Sequence, residues 1–151
     1  MGINFDGMRM MLDDGYQISL SYKNGKFVCF AIKDMVAAYQ FPRTSLNKID
    51  SELEYIACSG SCGCRDEGTV DINKMNACEK FLYEGGSLAL KQQCIDEKDR
   101  YCFEVYTGKS KSLADLHTPA LVGNCSSVKG VFCAVTQFVE ENREDSLGGS
   151  V

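Results

Sequence analysis

A chain of 151 residues, 44% hydrophobic and 25% charged, has the size and make-up of one globular domain that buries a core without cross-links. That excludes a miniature scaffold dependent on disulfides or metal, so the nine cysteines need another explanation. A formal charge of -5, with no Lys/Arg grouping denser than Lys109 and Lys111, argues against direct capture of a nucleic-acid backbone and suits solubility or a basic protein partner.

The first segment, MGINFDGMRMMLDDGYQ, has no uninterrupted apolar run and carries Asp6, Arg9, Asp13 and Asp14. It is neither a signal-peptide core nor a membrane span, so the chain reads as cytoplasmic, or as secreted if a leader has been removed. In YQISLSYKNGKFVCFAI, Asn24-Gly25 separates two alternating runs and suits the two-residue turn of a β-hairpin. Counting outward pairs Tyr22 with Phe27, Leu20 with Cys29 and Ile18 with Ala31 on one core-facing surface, which buries Cys29. The run VAAYQF (36–41) adds a third strand, stopped by Pro42.

Thr44 or Ser45 caps a helix whose stripe is Leu46, Ile49, Leu53 and Ile56. A loop follows through Cys64 to Gly68. Asp71 caps a second helix, INKMNACEKFLYE, with the stripe Ile72, Met75, Cys78 and Leu82 and a stop at Gly85-Gly86. A second hairpin joins SLALKQQC to RYCFEVYT around IDEKD, with Tyr101, Phe103 and Val105 on one face. KSLADLH forms a short helical turn halted at Thr118-Pro119. In the last segment Val131, Phe132, Val135, Phe138 and Val139 fit a helical stripe from about Val128 to Arg143, although its Val and Thr content would also suit a strand. The tail from Ser146 to Val151 is expected to be disordered.

These elements describe an α+β fold of antiparallel hairpins packed against two or three helices, in a single domain over 1–151. Two halves, 16–58 and 87–125, share a pattern: Cys29-Phe30 and Cys102-Phe103 in a hairpin strand, then Ser45-Leu46 and Ser112-Leu113, then Cys58 and Cys125, each 13 residues after the serine. Internal duplication is one reading. Chance is the other, since Pro119 breaks the second helix.

No P-loop, dinucleotide fingerprint, GxSxG or HExxH occurs. The sole histidine, His117, could serve a thiol nucleophile at Cys125 or Cys133, but no orienting partner is evident. The distinctive stretch is CSGSCGC, residues 58–64, where glycines permit sharp turns that could aim Cys58, Cys62 and Cys64 at one soft cation, zinc above all, with Cys78 as a fourth ligand. The usual paired C-x2-C knuckles are missing, and an iron–sulfur cluster lacks a recognised spacing. In a secreted chain, bridges among Cys58, Cys62, Cys64, Cys78, Cys94 and Cys125 would leave one thiol over from an odd number. Redox switching at Cys62-Gly63-Cys64, or several inert core thiols, are the remaining readings.

With no catalytic constellation, the leading expectation is a small soluble non-enzymatic binding or regulatory protein. It would act through an acidic surface on a macromolecular partner, such as an accessory or inhibitor protein of a mobile element does. The alternatives are a thiol-based metal or redox protein and a secreted disulfide-stabilised effector. The partner is expected to be a protein rather than nucleic acid or membrane, with an oligomer open.

Overall fold

The computed structural model describes residues 4–63, 66–107 and 118–149, with side chains through 142. In chain order come α1 (Asp6–Asp13), β1 (Gln17–Lys23), β2 (Lys26–Lys33), β3 (Val36–Arg43) and α2 (Leu46–Ser59). A 3-10 turn (Ile72–Lys74) precedes α3 (Ala77–Tyr83), β4 (Ser87–Ile95), β5 (Lys98–Tyr106), β6 (Leu121–Cys125) and α4 (Val128–Gly149). The strands form one six-stranded sheet in the order β3-β2-β1-β4-β5-β6, every neighbouring pair antiparallel. The expected α+β architecture of hairpins against helices is present. Each half of the described chain runs helix, three strands, helix, and the first strands of the two halves meet at the centre of the sheet.

The turns explain the register. Asn24 and Gly25 adopt positive φ, 53° and 82°, and the β1–β2 register matches the expectation residue for residue: Ile18 opposite Ala31, Leu20 opposite Cys29, Tyr22 opposite Phe27. Asp96 and Glu97, at φ 52° and 66°, close the second hairpin. That turn is tighter than the five-residue IDEKD, because an aspartate tolerates the left-handed conformation that a two-residue hairpin demands. β3 runs through Pro42, which lies opposite Val28. As an edge strand it needs no N–H on its outer side.

Alternation then sorts the sheet into two faces. Ile18, Leu20, Phe27, Cys29, Leu88 and Leu90 are almost fully buried on the side where α1, α2, α3 and α4 pack. Tyr101, Phe103 and Val105 join the same core. The opposite register, with Ser19, Ser21, Val28, Phe30, Ile32 and Ala89, is half-buried and lies outside that core. No described helix covers it.

Several elements differ from the sequence expectation. The first segment, given no element on sequence grounds, forms α1, which buries Met8, Met11 and Leu12. The second helix does not run unbroken from Ile72. Asp71 caps only the 3-10 turn, Met75 is extended, and Asn76 restarts the chain with a capping box to Glu79. Two reciprocal hydrogen bonds there outweigh the continuity of the apolar stripe, and Ile72 is left 50% exposed. α4 starts at Val128 as expected and continues to Gly149, past Arg143 and into the stretch expected to be disordered. Cys58 lies in the last turn of α2, whereas Cys125 ends β6. Ser112, Leu113 and His117 lie outside the described residues.

α1 docks on α2 through a glycine. A Cβ at Gly7 would sit 1.9 Å from the Asp50 carbonyl oxygen and 2.6 Å from the Glu54 amide nitrogen, so the backbones touch. The Asp50 carboxylate, buried on α2, accepts the Met8 amide at 2.9 Å and so serves an N-terminus whose own cap position, Phe5, supplies no side-chain bond. Gly7→Ala is expected to cost at least about 2 kcal/mol and lower the thermal midpoint by roughly 5–10 °C, read by circular dichroism. An unchanged midpoint would mean that α1 does not pack this closely.

Candidate functional site

CSGSCGC begins on α2. Cys58 and Ser59 close the helix, the Ser59 hydroxyl donates to the Tyr55 carbonyl at 2.8 Å, and Gly60 turns the chain at φ 80°. A helix end of this kind favours glycine, because only glycine takes the left-handed conformation freely. The Tyr39 hydroxyl then donates to the Gly60 carbonyl at 2.8 Å, which ties the turn to β3. Further on, the Gly63 amide donates to Glu52, whose carboxylate also meets Arg43 at 2.7 Å. Both side chains of that pair are under a tenth exposed, and Arg43 lies over the Phe41 ring.

Asp66 fastens the far side of the loop. Its carboxylate accepts the Thr44 amide at 2.8 Å and the Thr44 hydroxyl at 2.6 Å, and Lys48 approaches at 3.5 Å. Its backbone carbonyl accepts from Lys26. Burial pushes the Asp66 pKa up, but the bonds from Thr44 and Gly68, with Lys48, outweigh it and hold the carboxyl well below the usual range. Thr44 is therefore occupied by the loop, and Ser45 is the helix cap, accepting the Lys48 amide at 3.2 Å. An open hollow of about 500 Å³ remains among Arg43, Lys48, Glu52, Tyr55, Gly63 and Asp66. Its described charges are paired across it.

The expected ligand residues fall in different environments. Cys58 and Cys62 are exposed, while Cys78 is buried on α3. Cys64 lies outside the described residues. Metal ligation and nucleophilic attack both need thiolate, and the surroundings of Cys62, Cys78 and Cys29 oppose it. Burial and then the Glu52 carboxylate raise the Cys62 thiol, with Arg43 opposing. Burial and then Glu79 push Cys78 up to about 12, and Cys29 is driven higher still, by burial first. All eight described cysteines are free, and among the described residues no three His, Cys, Asp or Glu side chains are grouped to hold a metal ion. In the described residues the loop is a polar clamp that fixes α2 against the edge of the sheet.

A second concavity lies on the bare sheet face. A groove of about 450 Å³ crosses β4, β5 and β6, bordered by Ala89, Lys91, Cys102, Glu104, Val122 and Asn124. Its floor is low because Ala89 and Cys102 are short, and Val122 stands 63% exposed on its rim. Sequence reasoning missed these residues, yet their signal was there. In SLALKQQC the outward position after Ala89 is Lys91, and in RYCFEVYT the positions alternating with Tyr101 and Phe103 are Arg100, Cys102 and Glu104. No helix of the described chain is long and apolar enough to cross a membrane.

Two outcomes check the clamp. Glu52→Ala removes the carboxylate that meets Arg43 and accepts the Gly63 amide and is expected to cost roughly 3 kcal/mol in urea unfolding, with faster maleimide labelling of Cys62; in the native protein Cys62 should label more slowly than Cys58. Equal labelling rates and an unchanged urea midpoint would remove the clamp. The second outcome concerns pH. A depressed folded pKa means that Asp66 contributes stability that is fully present above its unfolded value of about 3.9 and fades as pH falls toward the folded one. The Thr44 amide resonance should hold steady through pH 4 and move only in stronger acid; a midpoint near 4 would contradict the assigned bonds.

Compared with family models, curated proteins and solved structures, the chain has no match in any of the three.

Proposed function

We propose that this chain is a non-enzymatic binding protein that regulates a macromolecular partner, in the manner of an accessory or inhibitor protein of a mobile element, and that its recognition surface is the bare face of the sheet. The observation that carries this reading is the one-sided sheet. Six strands are covered by helices on one face and by no described helix on the other, and the other face holds a groove with an exposed apolar rim. A wide, half-apolar surface of this kind suits protein recognition.

The buried charged groups support the same reading. Asp50 serves the first turn of α1, Glu79 accepts the Leu46 amide at 2.9 Å and the Asn76 amide at 3.0 Å, and Glu52 holds Arg43 and the loop. Each carboxylate is used in holding backbone or its neighbour. The acidic residues that give the chain its net charge, among them Asp6, Asp13, Glu54, Glu140 and Glu141, are exposed on the helices, the positions a basic partner would meet.

A photo-crosslinking amino acid at Ser21 or Val122 on the sheet face, and at Glu54 or Glu140 on the helices, separates the two surfaces in the cells the chain comes from. A discrete protein adduct from the sheet positions alone is expected. Adducts from the helix positions alone would transfer the role to the acidic surface, and none from any position would overturn the binding reading.

A further inference from the structure

The bare face carries a charge opposite to that of the whole molecule. Its outward register presents Lys23 at the β1–β2 hairpin, Lys91 in β4, and Lys98 and Arg100 in β5. Lys26 shares this register but donates to the Asp66 carbonyl. Among the described strand positions on this face Glu104 is the one carboxylate, and it accepts the Tyr106 hydroxyl. The full chain has a formal charge of -5, so the rest of the molecule is more acidic than the total suggests.

Chemistry and shape coincide at the groove. Lys91 borders it; Arg100 stands one outward position along β5 from Cys102 and is fixed toward β6 by donating to Asn124 at 2.9 Å. Ala89 gives an apolar floor, and Val122 an apolar wall on the far side of Glu104. Two copies stacked sheet to sheet about a twofold axis would set this cationic face against itself, which like-charge repulsion opposes. A continuous polyanion would meet Glu104 in the groove and Asp96, Glu97 and Asp99 at the adjacent hairpin tip. A peptide can place its carboxylates only where the cations are.

We infer that this groove takes an acidic segment of a partner protein, with an apolar side chain seated over Ala89 and carboxylates meeting Lys91 and Arg100. The inference rests on the reading of the sheet face as the recognition surface and adds the chemistry of the partner. The interaction is held by a few exposed ion pairs around an apolar anchor, so it weakens with salt.

Four probes test it by amide NMR: a synthetic peptide alternating glutamate with leucine, its lysine and glutamine counterparts, and an oligothymidylate. The glutamate peptide should shift the amides of Ala89, Lys91, Cys102 and Val122, bind more weakly as salt rises, and lose about tenfold in affinity to the double variant Lys91→Glu with Arg100→Glu. Lys91 is exposed and Arg100 half-exposed, and an unchanged thermal midpoint verifies that the variant is folded. If the lysine or glutamine peptide shifts the same amides as strongly, the acidic assignment falls while the sheet face stands as a binding surface. Shifts from oligothymidylate alone would give the face to nucleic acid, and concentration-dependent self-association through these amides would give it to a second copy; either overturns the inference. No shift on this face from any probe would overturn both the inference and the reading beneath it.

Discussion

The pairing of β1 with β4 is the constraint on which the rest of the structure depends. It spans three residue pairs, Ile18 with Leu90, Ser19 with Ala89 and Leu20 with Leu88, yet it joins two three-stranded halves into one sheet. Because side chains alternate, this register also decides what each face carries. Ile18, Leu20, Leu88 and Leu90 fall together on the helix side, and Ser19 and Ala89 fall together on the other. A slip of one residue would set leucines beside serines and leave neither half with a continuous core. The long separation of these strands along the chain makes the pairing costly in loop entropy, and the four fully or nearly fully buried apolar side chains at the seam offset it.

Above the sheet, the helices are held by buried carboxylates as much as by apolar packing. Asp50, Glu52 and Glu79 are each under a tenth exposed, and each accepts hydrogen bonds from the start of another element or from a loop. Burying a charge is unfavourable unless it is well bonded, and burial does raise the Asp50 pKa against the Met8 and Gly7 amides that lower it. The arrangement substitutes for the cap that α1 lacks locally and adds to the Ser45 cap of α2. Phe5 cannot cap α1, so a residue of α2 does; Leu46 follows the cap of α2, and Glu79 of α3 takes its amide.

What was legible in the sequence follows from the range of the interactions. The Asn24-Gly25 hairpin, the stripe of α2 and the inward set Tyr101, Phe103 and Val105 depend on turn chemistry and periodicity within a few residues, and they appear as read. α1 carried a legible stripe in Met8, Met11 and Leu12, but its start rests on Asp50, 42 residues on from Met8, and no local cap announces it. The second helix is not continuous from Ile72, because the Asn76–Glu79 capping box outweighs an apolar stripe that periodicity alone extends across it. CSGSCGC was read by its thiols, whereas its described part is shaped by Tyr39 and Glu52, which come earlier in the chain and carry no motif. The groove on the sheet face is hidden in another way. Lys91 and Arg100 are unremarkable in a list of charges and become neighbours only when β4 and β5 pair.

Fold and function are joined by a one-sided sheet: helices pack on one face, and no described helix covers the other. Paramagnetic relaxation of methyl resonances by a soluble, uncharged gadolinium chelate measures this directly. Strong broadening is expected for Val28, Ile32, Ala89 and Val122, and protection for Ile18, Leu20, Leu88 and Leu90. Equal protection of both sets would show the second face to be covered, and would contradict a recognition surface there.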